Sequence, residues 1–209
     1  MSRKSHWEAL YQANSPEQLA WHQATPSLSL DMIAAAALPG TAAVIDVGGG
    51  TSTLVDYLLD TGYLDVTVLD IAPHALAAAQ ARLGARADDV HWIEGDILQL
   101  KLPRRYDLWH DRAVFHFLTD PGDQDRYIAA LLAALKVNGH LIVAAFAPDG
   151  PARCANLDVV RYGPDALCAR FGPDFHLVRS ELQTHVTPWG SHQQFNFCHF
   201  HRHTVTGNA

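Results

Sequence analysis

The stretch that most constrains this chain is VIDVGGGTS, residues 44–52. Residues 42–47 are apolar apart from Asp46, so they read as a buried strand. Gly48, Gly49 and Gly50 follow, free to take backbone angles that a Cβ forbids, and Thr51 or Ser52 can cap a helix starting directly afterwards. A strand that runs through a glycine turn into a helix leaves unpaired N–H groups above the strand end, where they suit an anionic or strongly polar ligand group. A carboxylate inside such a strand is costly without a partner, which makes Asp46 part of the signal.

At 209 residues, 48% of them hydrophobic, the chain suits a single domain with a full core. The net charge is −7, and no Lys/Arg-rich block follows residue 4. A nucleic-acid partner needs a cationic track for its phosphates, so none is expected. The three cysteines, Cys154, Cys168 and Cys198, are odd in number and lack C-x-x-C spacing. They argue against a disulfide framework or a structural zinc site and fit a reducing cytoplasm. Residues 1–10 lack the apolar stretch of a signal peptide, and no apolar run of about 18 residues occurs, so no membrane association is expected.

Residues 1–40 read as a helical lid or cap of three short pieces, and residues 41–209 as the main domain. Ser5-x-x-Glu8 resembles a capping box, Ser15-Pro16-Glu17-Gln18 a second helix start, and Thr25-Pro26-Ser27 opens a third piece that stops at Pro39-Gly40. Trp7, Tyr11 and Trp21 give this segment a dense aromatic set, suited either to docking it on the domain or to covering a site. Strands are predicted at 66–70, 90–94, 106–114 and 140–146, with helices after the glycine turn, from Pro73 to Gly84, and from Asp120-Pro121 towards Asn138-Gly139. Short apolar strands alternating with amphipathic helices predict a parallel sheet covered on both faces. Gly163-Pro164 starts one more helix. Two long strand-like runs, 175–187 and 192–203, are then joined through Pro188-Trp189-Gly190, a connection short enough only for an antiparallel hairpin. The fold expected is α/β, a doubly wound Rossmann-like sheet that ends in an antiparallel strand.

Ligands of such sheets lie at the carboxyl ends of the strands. Asp70 ends the second strand about 20 residues after the glycine turn, where it can accept from both hydroxyls of a ribose. Asp96 follows the third strand and can accept from an exocyclic adenine amine, with Ile71 and Ile97 as apolar faces for the ring. A dinucleotide fingerprint would want Gly or Ala at position 53, where the chain has Thr53. An acid two residues before the first glycine suits the adenosylmethionine turn instead. With Asp46, Gly48 and Gly50, then Asp70, Gly95-Asp96, and DLWHDRAVFHFL at 107–118, the chain resembles class I S-adenosylmethionine-dependent methyltransferases over roughly residues 42–147 and the terminal hairpin. The resemblance implies seven strands in the order 3-2-1-4-5-7-6 with strand seven antiparallel. It also implies S-adenosylmethionine as cofactor, S-adenosylhomocysteine as product, and a cofactor site of Asp46, Gly48, Gly49, Gly50, Thr51, Asp70, Ile71, Asp96, Ile97 and His116.

Transfer of a methyl group from a sulfonium asks mainly for alignment and exclusion of water. Trp7, Tyr11, Trp21 and Trp109 are candidates for an aromatic face beside the sulfonium. The end of the fourth strand should carry the acceptor chemistry: His110 and Asp111 for proton removal, and Arg112 either to pair a substrate carboxylate or to bridge Asp111. His116 reads as packing below the cofactor or facing it. In the long loop after the fifth strand, Arg153, Cys154, Arg161 and Tyr162 are acceptor-lining candidates, with His185 and Trp189 beyond it. His199, His201 and His203 share one strand face and read as the polar end of a strand rather than a metal site, so no metal is expected. The acceptor expected is a small molecule attacking through S, O or N. A protein lysine acceptor and a non-catalytic binding module are the alternatives, and a monomer or weak dimer the expected state.

Overall fold

The computed structural model describes residues 2–203. Helix α1 (Arg3–Ala13) is followed by a single 3-10 turn (Pro16–Gln18) and helix α2 (Ser27–Ala35). The alternating part then runs β1 (Ala43–Val47), α3 (Leu54–Asp60), β2 (Asp65–Asp70), α4 (Pro73–Leu83), β3 (Val90–Glu94), β4 (Tyr106–Arg112), α5 (Pro121–Ala134) and β5 (Leu135–Phe146). A two-residue pair, β6 (Arg153–Cys154) and β7 (Leu157–Asp158), precedes α6 (Pro164–Phe171), β8 (Phe175–Val186) and β9 (His192–Arg202). The main sheet has the order β3-β2-β1-β4-β5-β9-β8, and β9 runs antiparallel to both of its neighbours. Counted without the small pair, this is the 3-2-1-4-5-7-6 order.

Alternation along the central strands splits the core into two layers. Ile45, Trp109, Leu141 and Val143 face α5 and α6, whose Tyr127, Leu131, Leu167 and Phe171 cover them. Val44, Val66, Leu108 and Ile142 face α2, α3 and α4 through Met32, Ile33, Leu54, Leu58 and Leu76. Helix α2 is therefore part of the core and not of a detachable lid, because Met32 and Ile33 lie fully inside the second layer. The remainder of the N-terminal segment sits over α4: Tyr11 and Leu19 pack with Ala72 and Ala75, and Glu8 accepts the His74 N–H at 3.1 Å.

Several boundaries differ from expectation for local reasons. Helix α1 starts at Arg3 because the Ser2 hydroxyl accepts from Ser5 N. This leaves Ser5 inside the first turn and frees Glu8 for α4. Strand β4 stops at Arg112 and not at 114: Ala113 takes φ +74°, and the Asp111 carboxylate accepts from Val114 N at 2.8 Å and Phe115 N at 3.1 Å, which curls the chain into a 3-10 turn (Phe115–Phe117). Helix α5 ends at Ala134, since Leu135 already pairs with Tyr106 as the first residue of β5. The β6–β7 hairpin turns through Ala155 and Asn156, both at positive φ. Alanine is not a residue that advertises such a turn, so the sequence reads there as plain loop.

Asp111 ties β4 to α5, because it also accepts from the Tyr127 hydroxyl, which in turn accepts from Trp109 Nε1 at 2.9 Å. Asp111→Ala strands two backbone N–H groups and a buried hydroxyl. It should lower stability by about 3 kcal/mol, read from urea unfolding; an unchanged midpoint would show that Asp111 does not hold this corner.

Candidate active site

The carboxyl ends of β1 to β4 open into one cavity with an empty volume of about 880 Å³ including its mouth. Its floor is Val47, Gly48, Leu69, Asp70 and Ile71, its side the Gly95–Asp96–Ile97 turn, and its roof Arg3, Trp7, Tyr11 and Trp21. Arg112, Ala113, Val114, Phe117, Cys154 and Phe195 close the far side. The roof is an aromatic assembly: Trp7 meets Phe117 edge to face at 4.9 Å and Trp21 at 5.9 Å, while Tyr11 meets Trp21 at 6.1 Å.

Glycine is required at the turn. Gly48 has φ +67°, and a Cβ there would lie 2.0 Å from Val114 Cγ2; a Cβ on Gly49 would lie 2.7 Å from Asp46 Oδ2. Gly50 has φ +53° and passes under the Tyr11 hydroxyl, 2.5 Å from where a Cβ would stand. The Gly48 and Gly49 N–H groups donate to Leu69 O at 2.7 and 3.1 Å, which lashes the turn to the end of β2.

A second, smaller cavity adjoins the first across Trp21, Gly48 and Arg112, and is lined by His22, Gln23, Ser29, Asp46, Gly49, Thr51 and His110. Here a buried chain runs from Asp46 Oδ1 to His110 Nδ1 at 2.7 Å and from His110 Nε2 to Ser29 Oγ at 2.9 Å. The carboxylate only accepts, so Nδ1 donates. His110 is thereby occupied on both nitrogens.

The acids differ in environment. Burial pushes the Asp70 carboxyl up to about 7, opposed by N–H bonds from Ala72, Gly50 and Ile71, with Asp46 adding a further upward push. Ala72 N donates to Asp70 Oδ1 at 2.8 Å. Asp96 accepts from Leu98 N at 3.0 Å and Gln99 Nε2 at 3.2 Å, and Arg3 Nη1 stands 3.8 Å from it, so the first helix reaches the cavity rim.

Of the residues singled out in the sequence, Trp7, Tyr11, Trp21, Gly48, Asp70, Ile71, Asp96, Ile97, Arg112 and Cys154 line the main cavity, and Asp46, Gly49, Thr51 and His110 the adjoining one. Seven others belong elsewhere. Asp111 is pushed up to about 6 by burial, a value suited to a base, yet it points into the α5 layer. His116 lies fully buried under Phe117 and Phe146; burial, with Arg112 adding to it, takes its imidazole down to about 3, and its Nδ1 accepts from Phe146 N. Tyr162 packs on Phe115 and its N–H donates to Phe146 O at 2.8 Å, while Arg161 reaches only Gly150 O, so both anchor the loop. Trp109 is likewise a core residue bonded to Tyr127. His185 accepts no cavity role: its Nε2 lies 2.7 Å from Ala20 O and holds the roof segment, and Trp189 is exposed. Arg3, Phe117 and Phe195 escaped the sequence reading. Phe195 comes from β9 through an antiparallel register that pairs it with Phe146.

Residues 45–141 match the family model described as Methyltransferase domain. Over these residues the chain is similar to a methyltransferase domain. An uncharacterized protein of Synechococcus is 30% identical to this chain over 145 residues, 68% of this chain and 34% of that protein. A malonyl-[acyl-carrier protein] O-methyltransferase of Anoxybacillus flavithermus is 32% identical over 104 residues, 49% of this chain and 38% of that one. The chain thus spans little more than a third of these curated relatives. Among solved structures, the 1,6-didemethyltoxoflavin-N1-methyltransferase of Burkholderia thailandensis superposes with a TM-score of 0.70 at 20% identity, covering 96% of this chain and 87% of that one. A protein from echinomycin biosynthesis, from work on conversion of a disulfide bond into a thioacetal group, reaches 0.79 at 19% identity over 99% and 94%. At these identities the likeness is one of fold.

His110→Ala leaves the Asp46 carboxylate buried without its main partner. The expected loss is roughly 2–4 kcal/mol of stability, measured by urea unfolding, with Ser29→Ala costing about 1 kcal/mol. Equal midpoints for His110→Ala and the parent would remove the chain's structural role.

Proposed function

We propose that this chain binds S-adenosylmethionine in the paired cavities and transfers its methyl group to a small-molecule acceptor. The observation that carries the reading is the shared cavity, with the glycine turn, Asp70 and Asp96 on one side and an aromatic roof with Arg112 on the other. The residues fit the group. The glycines leave space that a side chain would fill, Asp70 is placed to accept from two ribose hydroxyls, and Ile71 and Ile97 offer apolar faces to the base. The small cavity around Asp46 has the polarity for an amino-acid moiety. When bound, the group supplies an electrophilic methyl carbon on a sulfonium. The protein's part is to roof the cavity with Trp7, Tyr11 and Trp21, exclude water and hold the acceptor in line.

The enclosed aromatic roof favours a small molecule over a lysine on a folded partner. The named relatives include an O-methyltransferase and an N1-methyltransferase, which supports a small acceptor without choosing its attacking atom. Among the described residues no helix is long and apolar enough to cross a membrane.

Calorimetric titration should give binding of S-adenosylmethionine and S-adenosylhomocysteine but not NADH. Asp70→Ala should weaken it by roughly 1.5–3 kcal/mol; unchanged affinity in a folded variant sinks the ribose assignment. A carboxylate accepts from a ribose diol more strongly than a carboxylic acid does, so binding favours loss of the proton that Asp70 holds below about pH 7. Affinity should therefore rise between pH 6 and 8, by at most about tenfold per unit, and level off above. A flat profile would place the diol on another group.

A further inference from the structure

Among the described residues the Arg112 guanidinium makes no ion pair, although the Asp46 carboxylate borders the smaller cavity with it. Its Nη1 donates to Trp21 O at 2.9 Å and its Cζ lies 4.8 Å from the Phe195 ring centroid, while among the described residues its buried Nε and Nη2 have no partner. Neighbouring Asp111 points to the opposite face of the sheet and is spent on Tyr127 and the Val114–Phe115 backbone. Asp46 is engaged by His110. Leaving charged donors unpaired in an apolar enclosure is costly, so an anion that reaches them gains more there than in water. In the main cavity Arg112 stands with Phe195 and Cys154, across from the Asp70–Asp96 wall, and it also borders the smaller cavity around Asp46.

The groups on the Arg112 side of the enclosure are poor bases. The Cys154 thiol is pushed up to about 11 by burial, and the Tyr11 hydroxyl well above its ordinary value by burial and Asp70. His110 is bonded on both nitrogens, His116 is sealed beneath the roof, and His185 is bonded to Ala20 O. On that side a hydroxyl or ammonium acceptor would find no described group free to take its proton, Asp70 and Asp96 lying across the main cavity and His22 in the adjoining one.

We propose that the acceptor enters as a preformed anion, a thiolate or a carboxylate, seated on the free N–H groups of Arg112, and is methylated without a general base. The proposal rests on the donor-binding reading above. The anion's lone pair forms the new bond to the methyl carbon while the carbon–sulfonium bond breaks and its electron pair stays on sulfur. One positive and one negative charge cancel, no proton moves, and Arg112 keeps its charge throughout. Entry requires the Trp21 carbonyl and the Phe195 ring to yield part of the guanidinium they now cover.

The test titrates the full chain, loaded with S-adenosylhomocysteine, with benzoate and thiophenol against their uncharged counterparts benzamide and phenol, at a pH where thiophenol is ionised. At least one anion should bind and the neutral pair should not; benzoate alone would indicate a carboxylate acceptor and thiophenol alone a thiolate. Arg112→Gln should weaken the anion by about tenfold or more, with Arg112→Lys in between, a larger factor than any change in S-adenosylhomocysteine affinity. The proposal is overturned if benzamide binds as well as benzoate, if neither anion binds at millimolar concentration, or if Arg112→Gln loses S-adenosylhomocysteine about tenfold, which would put Arg112 on the donor. Unfolding midpoints check that the variants are intact, and Arg112→Lys serves if the glutamine variant does not fold. Absence of S-adenosylhomocysteine binding to the parent chain would defeat the donor reading itself, before any anion is compared.

Discussion

Asp46 is a carboxylate in the middle of a five-residue strand buried along its whole length. A charge in that position must be satisfied from within the protein. Sheet register sets His110 of β4 directly beside it, and α2 brings Ser29 to the far nitrogen of that imidazole. The turn after β1 then has to pass close over the carboxylate, which leaves Gly49 no space for a side chain. The glycine turn, the docking of α2 and the floor of the smaller cavity thus all follow from how one buried charge is met.

Strand β4 shows how the two layers divide their tasks. Trp109 and Asp111 point to α5 and join Tyr127 in a closed set of hydrogen bonds that stiffens the sheet. His110 and Arg112, one residue out of phase, point to the other layer, where the cavities lie. Four consecutive residues therefore serve packing and site in strict alternation, and a one-residue slip would exchange the roles.

The roof is fastened by elements far apart in the chain. Arg112 from β4 holds Trp21 O, His185 from β8 holds Ala20 O, and Thr53 at the start of α3 donates to Gln23 O at 3.1 Å. All three bonds go to backbone carbonyls, so the segment's path is held without using up the aromatic side chains that face the cavity. Any movement of the roof must exchange these bonds for others, which couples its position to the partners of Arg112.

Local chemistry makes much of this legible. The glycine turn, the Pro-led helix starts and the Pro-Trp-Gly connection each dictate backbone geometry within a few residues, so the alternating strands and helices, and the antiparallel hairpin, could be read along the chain. The acids at the strand ends were legible for the same reason, because Asp70 and Asp96 lie next in sequence to the strands that aim them. Which side of the sheet a residue serves, and what meets it there, depends on contacts between distant segments. Asp111 and Arg112 look equally suited to a site until α5 claims the first. Phe195 and Arg3 reach the cavity from β9 and α1 only through packing. By itself the sequence determined the α/β alternation, the glycine turn and the acids at the strand ends, since these are short-range consequences of residue type. Only the tertiary structure decided that Arg112 is left with free donors while His110 and Asp111 are taken up by other bonds and His116 is buried in packing, because those outcomes depend on which partner each side chain meets across the sheet.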